Sequence, residues 1–593
     1  MDLDWATFAS GIAALHAHKI SISNLVKTPS AWQRLAFWCL DRLLGIAHMN
    51  QLYHQHQMQG LSKEAFCDKL IALLNIDIIG IAELQRKIPR KGPLVIASNH
   101  PFGGIEGVIL ARLISEVRPD LKVLANKGLG IFQEIKDYFI FTNPLSPNDA
   151  QNAPSLRTCL KHVQQGHALL IFPAGKVSSQ HAQGGYLYEH AWNKLLGRLI
   201  AIQNCAYLPI FVAGKNSTRF YRIERIWFKS RMLMLGRELL NKHGQSIKIG
   251  SGNAVQGAKL VSTTSHQASS DLCQLLSYAQ DPTWQYSWPQ DKQFTQAPLI
   301  GAIAPEQLMR ELRSIPSEQR LLDYKSYSVY FSYQAQTPLI VREIARLREQ
   351  VFREHNEGSG EALDSDKFDA TYTHLFIVDH SHQRIIGAYR MGLTDQLQKT
   401  QGKAGLYLHN MFEFADHFMN QRAPCMEMGR SFLIPEMQGS HIGLLLLWKG
   451  IGHFAVRHPE YRTLYGTVSI SKLYDARSVK LIEAGLIRAQ YAAGVKARHN
   501  FDFNLPPNIT QEHLQTLSAT QISAMVSSIE ADGKDIPVLA KQYLKMGAKF
   551  HALGIDVNFN HTPGLLLSVH LPSAPEKFLK QYCGEQWQAY RDA

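Results

Sequence analysis

Short apolar runs alternate with helical patterns in the first half of the chain. Residues Ala31–Ala47 carry apolar side chains at helical spacing, and Gly92–Ser98 (GPLVIAS) is a short apolar run followed by a glycine-rich turn. A helical pattern, GVILARLISEV, comes next, and the strand pattern returns in His167–Phe172 (HALLIF) and Ala206–Gly214 (AYLPIFVAG). Strands that alternate with helices predict an α/β domain with a mostly parallel sheet flanked by helices.

The second half has a different order of elements. Val341–His355 has apolar positions at nearly helical spacing, and an acidic loop follows it. His374–Asp379 (HLFIVD) and Arg384–Leu393 (RIIGAYRMGL) predict a strand–turn–strand hairpin. Met426–Ile434 predicts a central strand and Gly443–Val456 a buried helix. A helix, a hairpin, a central strand and a packed helix form the order expected of a GNAT-like α+β fold of the N-acyltransferase type.

The chain is too long for a single core, since 593 residues is about four times the ~150-residue prior for one domain. The segment Val261–Pro305 is polar and rich in proline, glutamine and serine, which predicts a boundary. We therefore expect a helical preamble over 1–85, an αβ domain over 86–260, a linker over 261–325 and the GNAT-like domain over 326–593.

Cysteine usage and the amino terminus indicate the compartment. The seven cysteines form no CxxC pair, so the sequence predicts neither a disulfide framework nor a zinc site, and no metal is expected. The first residues, MDLDWATFAS, carry two aspartates where a signal peptide has lysines. No apolar run reaches the ~18–20 residues needed to span a bilayer. These features predict a cytoplasmic protein that can still lie on a membrane surface.

The first candidate site lies where the strand Gly92–Ser98 gives way to a helix, the usual place for ligands in an open α/β sheet. Here His100 is followed six residues later by Glu106. A carboxylate can hold the tautomer of an imidazole, whose other nitrogen then takes a proton from an acceptor hydroxyl. A turn histidine that caps a helix is the alternative.

Two later segments, Phe172–Ser179 (FPAGKVSS) and Leu208–Ile210 (LPI), follow His100 and are expected at strand ends. This ordered series resembles the lysophospholipid acyltransferase family, whose blocks are NHxxxxD, FPEGxRS and a late proline after an apolar strand. The resemblance implies His100 as general base, Glu106 as its partner and an acyl thioester as donor. The substrate-binding residues that it implies are Asn99, Phe172, Pro173, Gly175, Lys176 and Pro209.

This sequence departs from the family pattern at three places. The spacing is His-x5-Glu rather than His-x4-Asp, and Ala174 and Val177 replace the glutamate and arginine of FPEGxRS. In the family those two residues engage a phosphate-bearing acceptor, and an arginine–phosphate contact is strong because it is charge-assisted and bidentate. The loss of the arginine argues against lysophosphatidate as acceptor. Lys176 either meets a carboxylate or is a solvated lysine.

The second candidate site begins with an acidic loop. Between Glu354 and Asp369 the chain carries six acidic residues against one lysine, which favours a pocket for a cationic acceptor or a solvated loop. Further on, Glu427 and Arg430 would face opposite sides of a strand unless a bulge intervenes. A glutamate there could deprotonate an ammonium nucleophile, directly or through water. For Arg390 and Arg430, a structural ion-pair network with the loop is the alternative.

Four motifs in this half, LRxxVF, DxxD, GxYR and ExxR, occur in order. They resemble the acyl-homoserine-lactone synthase branch of acetyltransferase-like folds, and resemble ornithine lipid N-acyltransferases more closely. The resemblance implies Glu427 as a catalytic residue. The substrate-binding residues that it implies are Arg348, Phe352, Asp366, Asp369, Arg390 and Arg430.

Together the halves resemble the bifunctional ornithine lipid synthases, also labelled hemolysins. The resemblance implies transfer of a 3-hydroxyacyl group from acyl carrier protein to ornithine, followed by O-acylation of the lyso-ornithine lipid, with no cofactor beyond the acyl-carrier-protein donor. The alternatives are a lysophospholipid acyltransferase with a non-catalytic binding domain, a signal synthase that uses S-adenosylmethionine, and a membrane-active hemolysin-like protein. Glycine, lysine or glutamine could replace ornithine.

The positive charge of the chain predicts a further binding partner. The formal net charge is +13, and nine bases lie between Lys215 and Lys248, interleaved with four aromatic residues. Bases with aromatics favour an anionic membrane surface, although the same segment could dock acyl carrier protein or be a solvated face. Nucleic acid is not expected, because no recognised module accompanies the charge. We therefore expect a peripheral location on the cytoplasmic face of the inner membrane.

Overall fold

The computed structural model describes residues 21, 30–126, 129, 132–142, 152–226, 234–288, 296–415, 417–418 and 424–593, without the side chains of 224–226. The chain divides into two compact units. The first contains the described residues up to Gln285 together with Leu505–Thr510 and Thr520–Asp535. The second contains Tyr286–Asn504, Gln511–Ala519 and Ile536–Ala593.

An eight-stranded, mostly parallel sheet forms the centre of the first unit, with the order β1-β9-β8-β2-β5-β3-β4 and β10 paired to β8. Only the β8–β9 and β8–β10 pairs are antiparallel. A separate hairpin, β6–β7, follows β5. The strands are β1 (Asp77–Ile79), β2 (Leu94–Ser98), β3 (Lys122–Asn126), β4 (Phe139–Thr142), β5 (Ala168–Ile171), β6 (Ser179–Gln180), β7 (Leu187–Tyr188), β8 (Ala206–Ala213), β9 (Ser246–Ser251) and β10 (Val255–Gln256).

Helices surround this sheet, as the alternation of patterns predicts. Every residue of β2 and β5 is buried, as expected of parallel strands covered on both faces. The helices of this part of the chain are α1 (Ala31–Leu43), α2 (Ile46–Gln55), α3 (Lys63–Leu73), α4 (Ile81–Lys87), α5 (Ile105–Ser115), α6 (Asn152–Gln164), α7 (Leu195–Ile200), α8 (Thr218–Ile226), α9 (Leu235–Leu240) and α10 (His266–Tyr278).

The borders of the first unit differ from the expected ones. The preamble contributes β1, which pairs in parallel with β9. The expected linker begins with α10, a helix whose Leu272, Cys273 and Leu276 are buried. The start of this segment is polar in sequence because of the loop before α10 and because of Ser265. Ser265 is the N-cap of the helix, and its side chain accepts from the Ala268 amide at 3.1 Å.

Two segments of the second half also belong to the first unit. Helix α18 (Ala519–Ile529) buries apolar residues there, and the Asn253 side chain donates to the carbonyls of Ser527 (3.0 Å) and Glu530 (2.7 Å). Gln280 donates to the Ser528 hydroxyl at 3.0 Å. The expected contiguous domain over 326–593 is therefore interrupted, because sequence distance says nothing about which core a short amphipathic helix joins.

The second unit is built on one eight-stranded sheet with the order β11-β12-β13-β14-β16-β17-β20-β19, and β15 and β18 form a small sheet of their own. All neighbours in the large sheet are antiparallel except β16 and β17. The strands are β11 (Arg320–Tyr324), β12 (Tyr327–Tyr333), β13 (Thr373–Asp379), β14 (Arg384–Leu393), β15 (Phe412–Phe414), β16 (Cys425–Leu433), β17 (Thr463–Ser469), β18 (Val495–Ala497), β19 (Lys549–Asp556) and β20 (Thr562–His570).

The predicted helix, hairpin, central strand and buried helix are confirmed as α12, β13–β14, β16 and α14. The helices, numbered onward from α10, are α11 (Pro305–Arg313), α12 (Pro338–Glu354), α13 (Thr394–Gln401), α14 (His441–Arg457), α15 (Ala476–Leu486), α16 (Ala489–Ala492), α17 (Gln511–Gln515), α18, α19 (Val538–Lys545), α20 (Glu576–Cys583) and α21 (Trp587–Asp592).

The parallel pair β16–β17 opens part-way along its length. Pairing runs from Cys425–Thr463 to Met428–Gly466 and stops there, although both strands continue. A Cβ on Gly466 would lie 2.3 Å from the Met428 carbonyl oxygen, so only glycine allows this close approach. Beyond this point the two strands line a cavity of about 890 Å³.

Within the described part of the chain, no helix has both the length and the apolar character needed to cross a bilayer.

Candidate active sites

The first site is a histidine–carboxylate pair at the carboxyl end of β2. His100 Nδ1 lies 3.0 Å from Glu106 Oε1, and the histidine side chain is 20% exposed. Glu106 lies in the first turn of α5 and accepts the amides of Phe102, Gly103 and Gly104 at 2.8–2.9 Å. The longer glutamate side chain therefore spans the turn that is one residue longer than in the family pattern.

Glu106 is held as an anion. Burial opposes ionisation, but His100 and the amides of Gly103 and Gly104 together lower the pKa of Glu106 to about 2. A charged carboxylate fixes the proton of the imidazole on Nδ1, so that Nε2 carries the lone pair. The pair thus has the chemistry of a general base that activates a hydroxyl.

The predicted FPAGKVSS loop lies against His100. The ring centroids of Phe172 and His100 are 4.6 Å apart, and the Ser178 amide donates to the His100 carbonyl at 2.9 Å. Gly175 has a φ of 63°, and its amide donates to the Phe172 carbonyl at 3.0 Å. The carbonyl of buried Pro173 accepts from the Asn193 amide at 3.0 Å. Phe172 and Gly175 therefore border the histidine, whereas Pro173 anchors the loop.

Two predicted substrate-binding residues have structural contacts instead. The Asn99 side chain donates to the Val212 carbonyl (2.9 Å) and accepts from the Val212 amide (2.7 Å), which ties the end of β2 to β8. Pro209 lies inside β8 opposite Ala97, not at a strand end, and its carbonyl accepts from the Gly252 amide at 3.0 Å. The run of apolar residues on both sides of the proline continues the strand through it.

The two positions that depart from FPEGxRS carry no charge toward the site. Val177 is 3% exposed and packs in an apolar cluster with Leu44, Phe220, Tyr221 and Met234. Lys176, the nearest base in the loop, is partly buried. The position of the family's phosphate-binding arginine is thus part of a hydrophobic core.

Sequence reasoning missed Glu189, which joins the two halves of this site. Its Oε1 accepts from the His100 amide (2.5 Å) and the Ser178 hydroxyl (3.2 Å), and its Oε2 accepts from the Trp192 indole (2.8 Å). Burial raises the pKa of Glu189. No spacing rule connects a glutamate to a histidine 89 residues away, so the sequence held no signal for this contact.

Part of the expected patch of bases and aromatics is buried. Phe220 and Tyr221 face inward, and Lys242 is 2% exposed with its Nζ donating to the Lys215 carbonyl at 2.9 Å. Among the side chains of this segment that the structure describes, the exposed bases are Lys215, Arg219, Arg222 and Lys248. Trp227, Phe228, Lys229 and Arg231, and the side chains of Glu224 and Arg225, lie outside the described residues.

Exposed apolar side chains are concentrated instead on α1. Its large exposed residues are Trp32 (82%), Leu35 (53%), Trp38 (54%), Leu40 (38%) and Leu43 (59%). The Arg42 guanidinium lies 3.6 Å from the centroid of the Trp38 ring. Tryptophans, leucines and an arginine on one short helix are typical of a segment that lies in a membrane interface.

In the second unit the acidic loop is an ion-pair network. Arg348 is 1% exposed and bonds to Asp369 through Nη1 and Nη2 at 3.0 Å, while its Nε lies 3.0 Å from Asp364. Arg390 Nη1 lies 2.6 Å from Asp366 and 3.1 Å from Asp369. Against the cost of burial, the two arginines hold the pKa of Asp369 far below its usual range.

This ion-pair network bears on the substrate-binding role predicted for four residues. Arg348, Asp366 and Asp369 are not among the residues that line the cavity. Asp366 and Asp369 bond to Arg390, which does line it, and Arg348 bonds to Asp369. The aspartates are therefore paired with arginines rather than presented to a cationic acceptor. For Asp366 and Asp369 the structure therefore shows the ion-pair network with Arg390 that the sequence left open as the alternative.

A β-bulge brings Glu427 and Arg430 to the same cavity. On β14 the pairing advances by two residues from Ala388 to Arg390, while on β16 it advances by three from Gly429 to Phe432. Arg430 itself has a φ of +51°. The bulge that the sequence required is thus present, and both side chains line the cavity together with Phe352.

Glu427 has the environment of a base that works near neutrality. It is 2% exposed and accepts from the Tyr372 hydroxyl (2.9 Å), the Leu408 amide (3.3 Å) and the Tyr465 hydroxyl (3.3 Å). Burial outweighs these bonds and raises the pKa of Glu427 to about 7. At neutral pH the carboxylate can therefore take a proton and release it again.

The cavity is lined by both apolar and polar side chains. The apolar ones include Leu444, Leu445, Leu447, Trp448 and Leu539. The polar ones include Glu357, Glu427, Arg430, Ser469, Asp556 and Thr562. A cavity with both kinds of side chain can hold an acyl chain together with a polar acceptor.

Two family descriptions match parts of the chain. Residues 73–281 match "Acyltransferase", and residues 347–449 match "Acetyltransferase (GNAT) domain". The chain carries an acyltransferase domain and a GNAT domain. The acyltransferase domain contains the His100–Glu106 pair, and the GNAT domain contains Arg390, Glu427 and Arg430.

Curated relatives act in N-acylation and O-acylation. The glycine Nα-acyltransferase of Phocaeicola vulgatus is 31% identical over 198 residues, 31% of this chain and 60% of the relative, so the match spans under two thirds of that enzyme. The L-ornithine Nα-acyltransferase of Rhodobacter capsulatus is 26% identical, over 41% of this chain and 89% of the relative. The lyso-glycine lipid O-acyltransferase of Phocaeicola vulgatus is 25% identical, over 33% of this chain and 74% of the relative.

Proposed function

We propose that the chain is a bifunctional acyltransferase that builds a two-chain aminolipid on ornithine. The GNAT domain N-acylates ornithine with a 3-hydroxyacyl group from acyl carrier protein, and the acyltransferase domain then O-acylates the lyso-ornithine lipid. The observation that carries the proposal is the presence of two different proton acceptors in one chain. His100 is suited to a hydroxyl, and Glu427, with a pKa of about 7, is suited to an ammonium. Relatives named for both kinds of acyl transfer support it.

In the N-acylation step, the α-amine of ornithine attacks the thioester carbonyl. The N–C bond forms as the C–S bond breaks. Glu427 takes a proton from the nitrogen and passes it to the sulfur, so the carrier leaves as its thiol. Tyr372 and Tyr465 hold the Glu427 carboxylate, so its position is fixed before the substrate enters.

In the O-acylation step, His100 Nε2 takes the proton of the 3-hydroxyl as that oxygen attacks a second thioester. The O–C bond forms as the C–S bond breaks, and the proton passes from Nε2 to the sulfur, so the donor leaves as its thiol. Glu106 stabilises the imidazolium that forms. The apolar surroundings of Val177 support an acceptor without phosphate, since no arginine stands at that position.

We further propose that the protein works on the cytoplasmic face of the inner membrane. Helix α1 supports this location, because Trp32, Leu35, Trp38 and Leu43 are each more than half exposed. The exposed bases of the first unit suit an anionic lipid surface or an acidic carrier protein.

The purified full-length chain tests the proposal in two stages. With 3-hydroxyacyl carrier protein and ornithine alone, we expect a mono-acylated lyso-lipid. A second acyl donor should convert this lyso-lipid into the two-chain product. Glu427→Gln should block the first stage, whereas His100→Ala should block only the second. Conversion of added lysophosphatidate in place of the lyso-aminolipid would contradict the proposal.

A further inference from the structure

Three carboxylates line the GNAT cavity, and only one of them has a role so far. Glu357, Glu427 and Asp556 are 7%, 2% and 6% exposed. Glu427 is the proton acceptor of the proposed reaction. The other two need a physical explanation, because a buried carboxylate is costly unless a cation or hydrogen bonds compensate for it.

The charge balance around the cavity leaves these carboxylates without a paired cation. Arg348, Arg390 and Arg430 form their ion pairs with Asp364, Asp366 and Asp369. Among the residues that the structure describes, Glu357, Glu427 and Asp556 form no ion pair.

The pKa values agree with this imbalance. Burial raises the pKa of Glu357 to about 7 and raises that of Asp556, although the charge of Arg430 acts in the opposite direction on both. A cation bound between the two carboxylates would restore both to their charged forms.

Glu357 and Asp556 are held at the same end of the sheet. The Ser469 hydroxyl, at the end of β17, donates to Glu357 Oε2 at 3.0 Å. Asp556 is the last residue of β19, and its carboxylate accepts from the Tyr407 hydroxyl at 2.7 Å. Strand β20 lies between β17 and β19 and pairs with both. The two carboxylates are thus fixed by different strands around one end of β20.

An unsatisfied hydroxyl lies at this same end. Thr562, the first residue of β20, pairs with Asp556 and lines the cavity. It is 1% exposed, and its Oγ1 has no hydrogen-bond partner among the described residues. Buried hydroxyls are almost always bonded, so an oxygen left open on a cavity wall indicates a ligand that donates to it.

We propose that Glu357, Asp556 and Thr562 form a subsite for the side-chain ammonium of a diamino acid. An ammonium has three N–H donors and no acceptor, which matches two carboxylates and a hydroxyl oxygen. Ornithine carries such an ammonium on its side chain and the same cavity contains Glu427, whereas glycine has no side chain to place in the subsite. The inference rests on the proposed N-acylation and makes these three residues the determinants of its amino-acid preference.

A competition assay on the full-length protein tests the subsite. Ornithine and glycine are supplied together with 3-hydroxyacyl carrier protein, and the two products are separated by mass spectrometry. We expect the wild type to prefer ornithine. Glu357→Gln and Asp556→Asn should each lower the ornithine-to-glycine ratio roughly tenfold or more, mainly through the KM for ornithine. Thr562→Val should lower it less, and Glu354→Gln, which removes an exposed charge at the end of α12, should leave it unchanged.

The glycine product reports folding in the same reaction, and three independent variants carry the test if one fails to fold. An unchanged ratio in Glu357→Gln and Asp556→Asn, with the glycine product still formed, would overturn the subsite. A wild type that prefers glycine would overturn the subsite but leave N-acylation intact. A wild type that acylates neither amino acid would overturn the proposed function itself.

Discussion

Replacing Glu427 by glutamine gives the sharpest prediction about the GNAT domain. The substitution keeps the size of the side chain and removes its ability to accept a proton. The ordinary pKa of a glutamate is 4.5, and burial raises that of Glu427 to about 7. One pH unit below 7, only about a tenth of the wild type carries the basic carboxylate, so kcat/KM should fall about tenfold per unit there.

The raised pKa of Glu427 also determines in which direction the free energy of unfolding changes with pH. A pKa that is higher in the folded state gives stability that is fully present below pH 4.5 and is lost as pH rises through 7. The difference between a pKa of 4.5 and one of about 7 corresponds to about 3 kcal/mol. Above pH 7 the Glu427→Gln variant should therefore match or exceed the wild type in free energy of unfolding, while losing roughly 10²- to 10⁴-fold in N-acylation.

The assay is the pH dependence of kcat/KM for N-acylation by the full-length chain, together with denaturant unfolding at the same pH values. Glu483→Gln is the matched control, because burial also raises the pKa of Glu483, on α15, and it lies outside the cavity. The control should keep the inflection near pH 7, and Glu427→Gln should lose it. An inflection that persists in Glu427→Gln, with activity reduced less than tenfold, would refute Glu427 as the base.

Three further predictions concern the first unit. Glu106→Gln should lower the free energy of unfolding at neutral pH by about 3 kcal/mol, with the difference shrinking as pH falls from 4.5 toward 2; a difference independent of pH would contradict the low pKa. Val177→Arg should cost about 3 kcal/mol in the same measurement, because it buries a charge in an apolar cluster, and should create no activity on lysophosphatidate. Trp32→Gln with Trp38→Gln should abolish co-sedimentation with anionic vesicles while leaving the unfolding curve unchanged; undiminished binding would exclude α1 as the contact.

Local patterns were sufficient for the central elements. The buried strands β2 and β5, the hairpin β13–β14 and helix α14 follow directly from apolar runs and their spacing. The His100–Glu106 pair could also be predicted, because both residues lie in one turn between a strand and a helix. The spacing of Glu427 and Arg430 showed that the two side chains could share one side of the strand only if a β-bulge lay between them. The structure contains this bulge, and Arg430 has a positive φ there.

Contacts between residues far apart in sequence could not be predicted. Glu189 reaches the His100 amide across 89 residues, and Asn99 bonds to β8 across 113. Acidic residues in a loop look alike in sequence, yet Asp369 pairs with two arginines while Glu357 turns toward the cavity. Tertiary packing determines which of these carboxylates pairs with an arginine. A local sequence pattern does not show these contacts.

The central claim is that the two acyl transfers that build one aminolipid are divided between the two domains. Mass spectrometry of lipid extracts from a host that expresses the chain tests it most directly. The wild type should produce a new aminolipid with two acyl chains, His100→Ala only its mono-acylated form, and Glu427→Gln neither. A two-chain aminolipid that persists in the His100→Ala extract would contradict the division of labour, and the absence of any aminolipid from the wild type would contradict the proposed function.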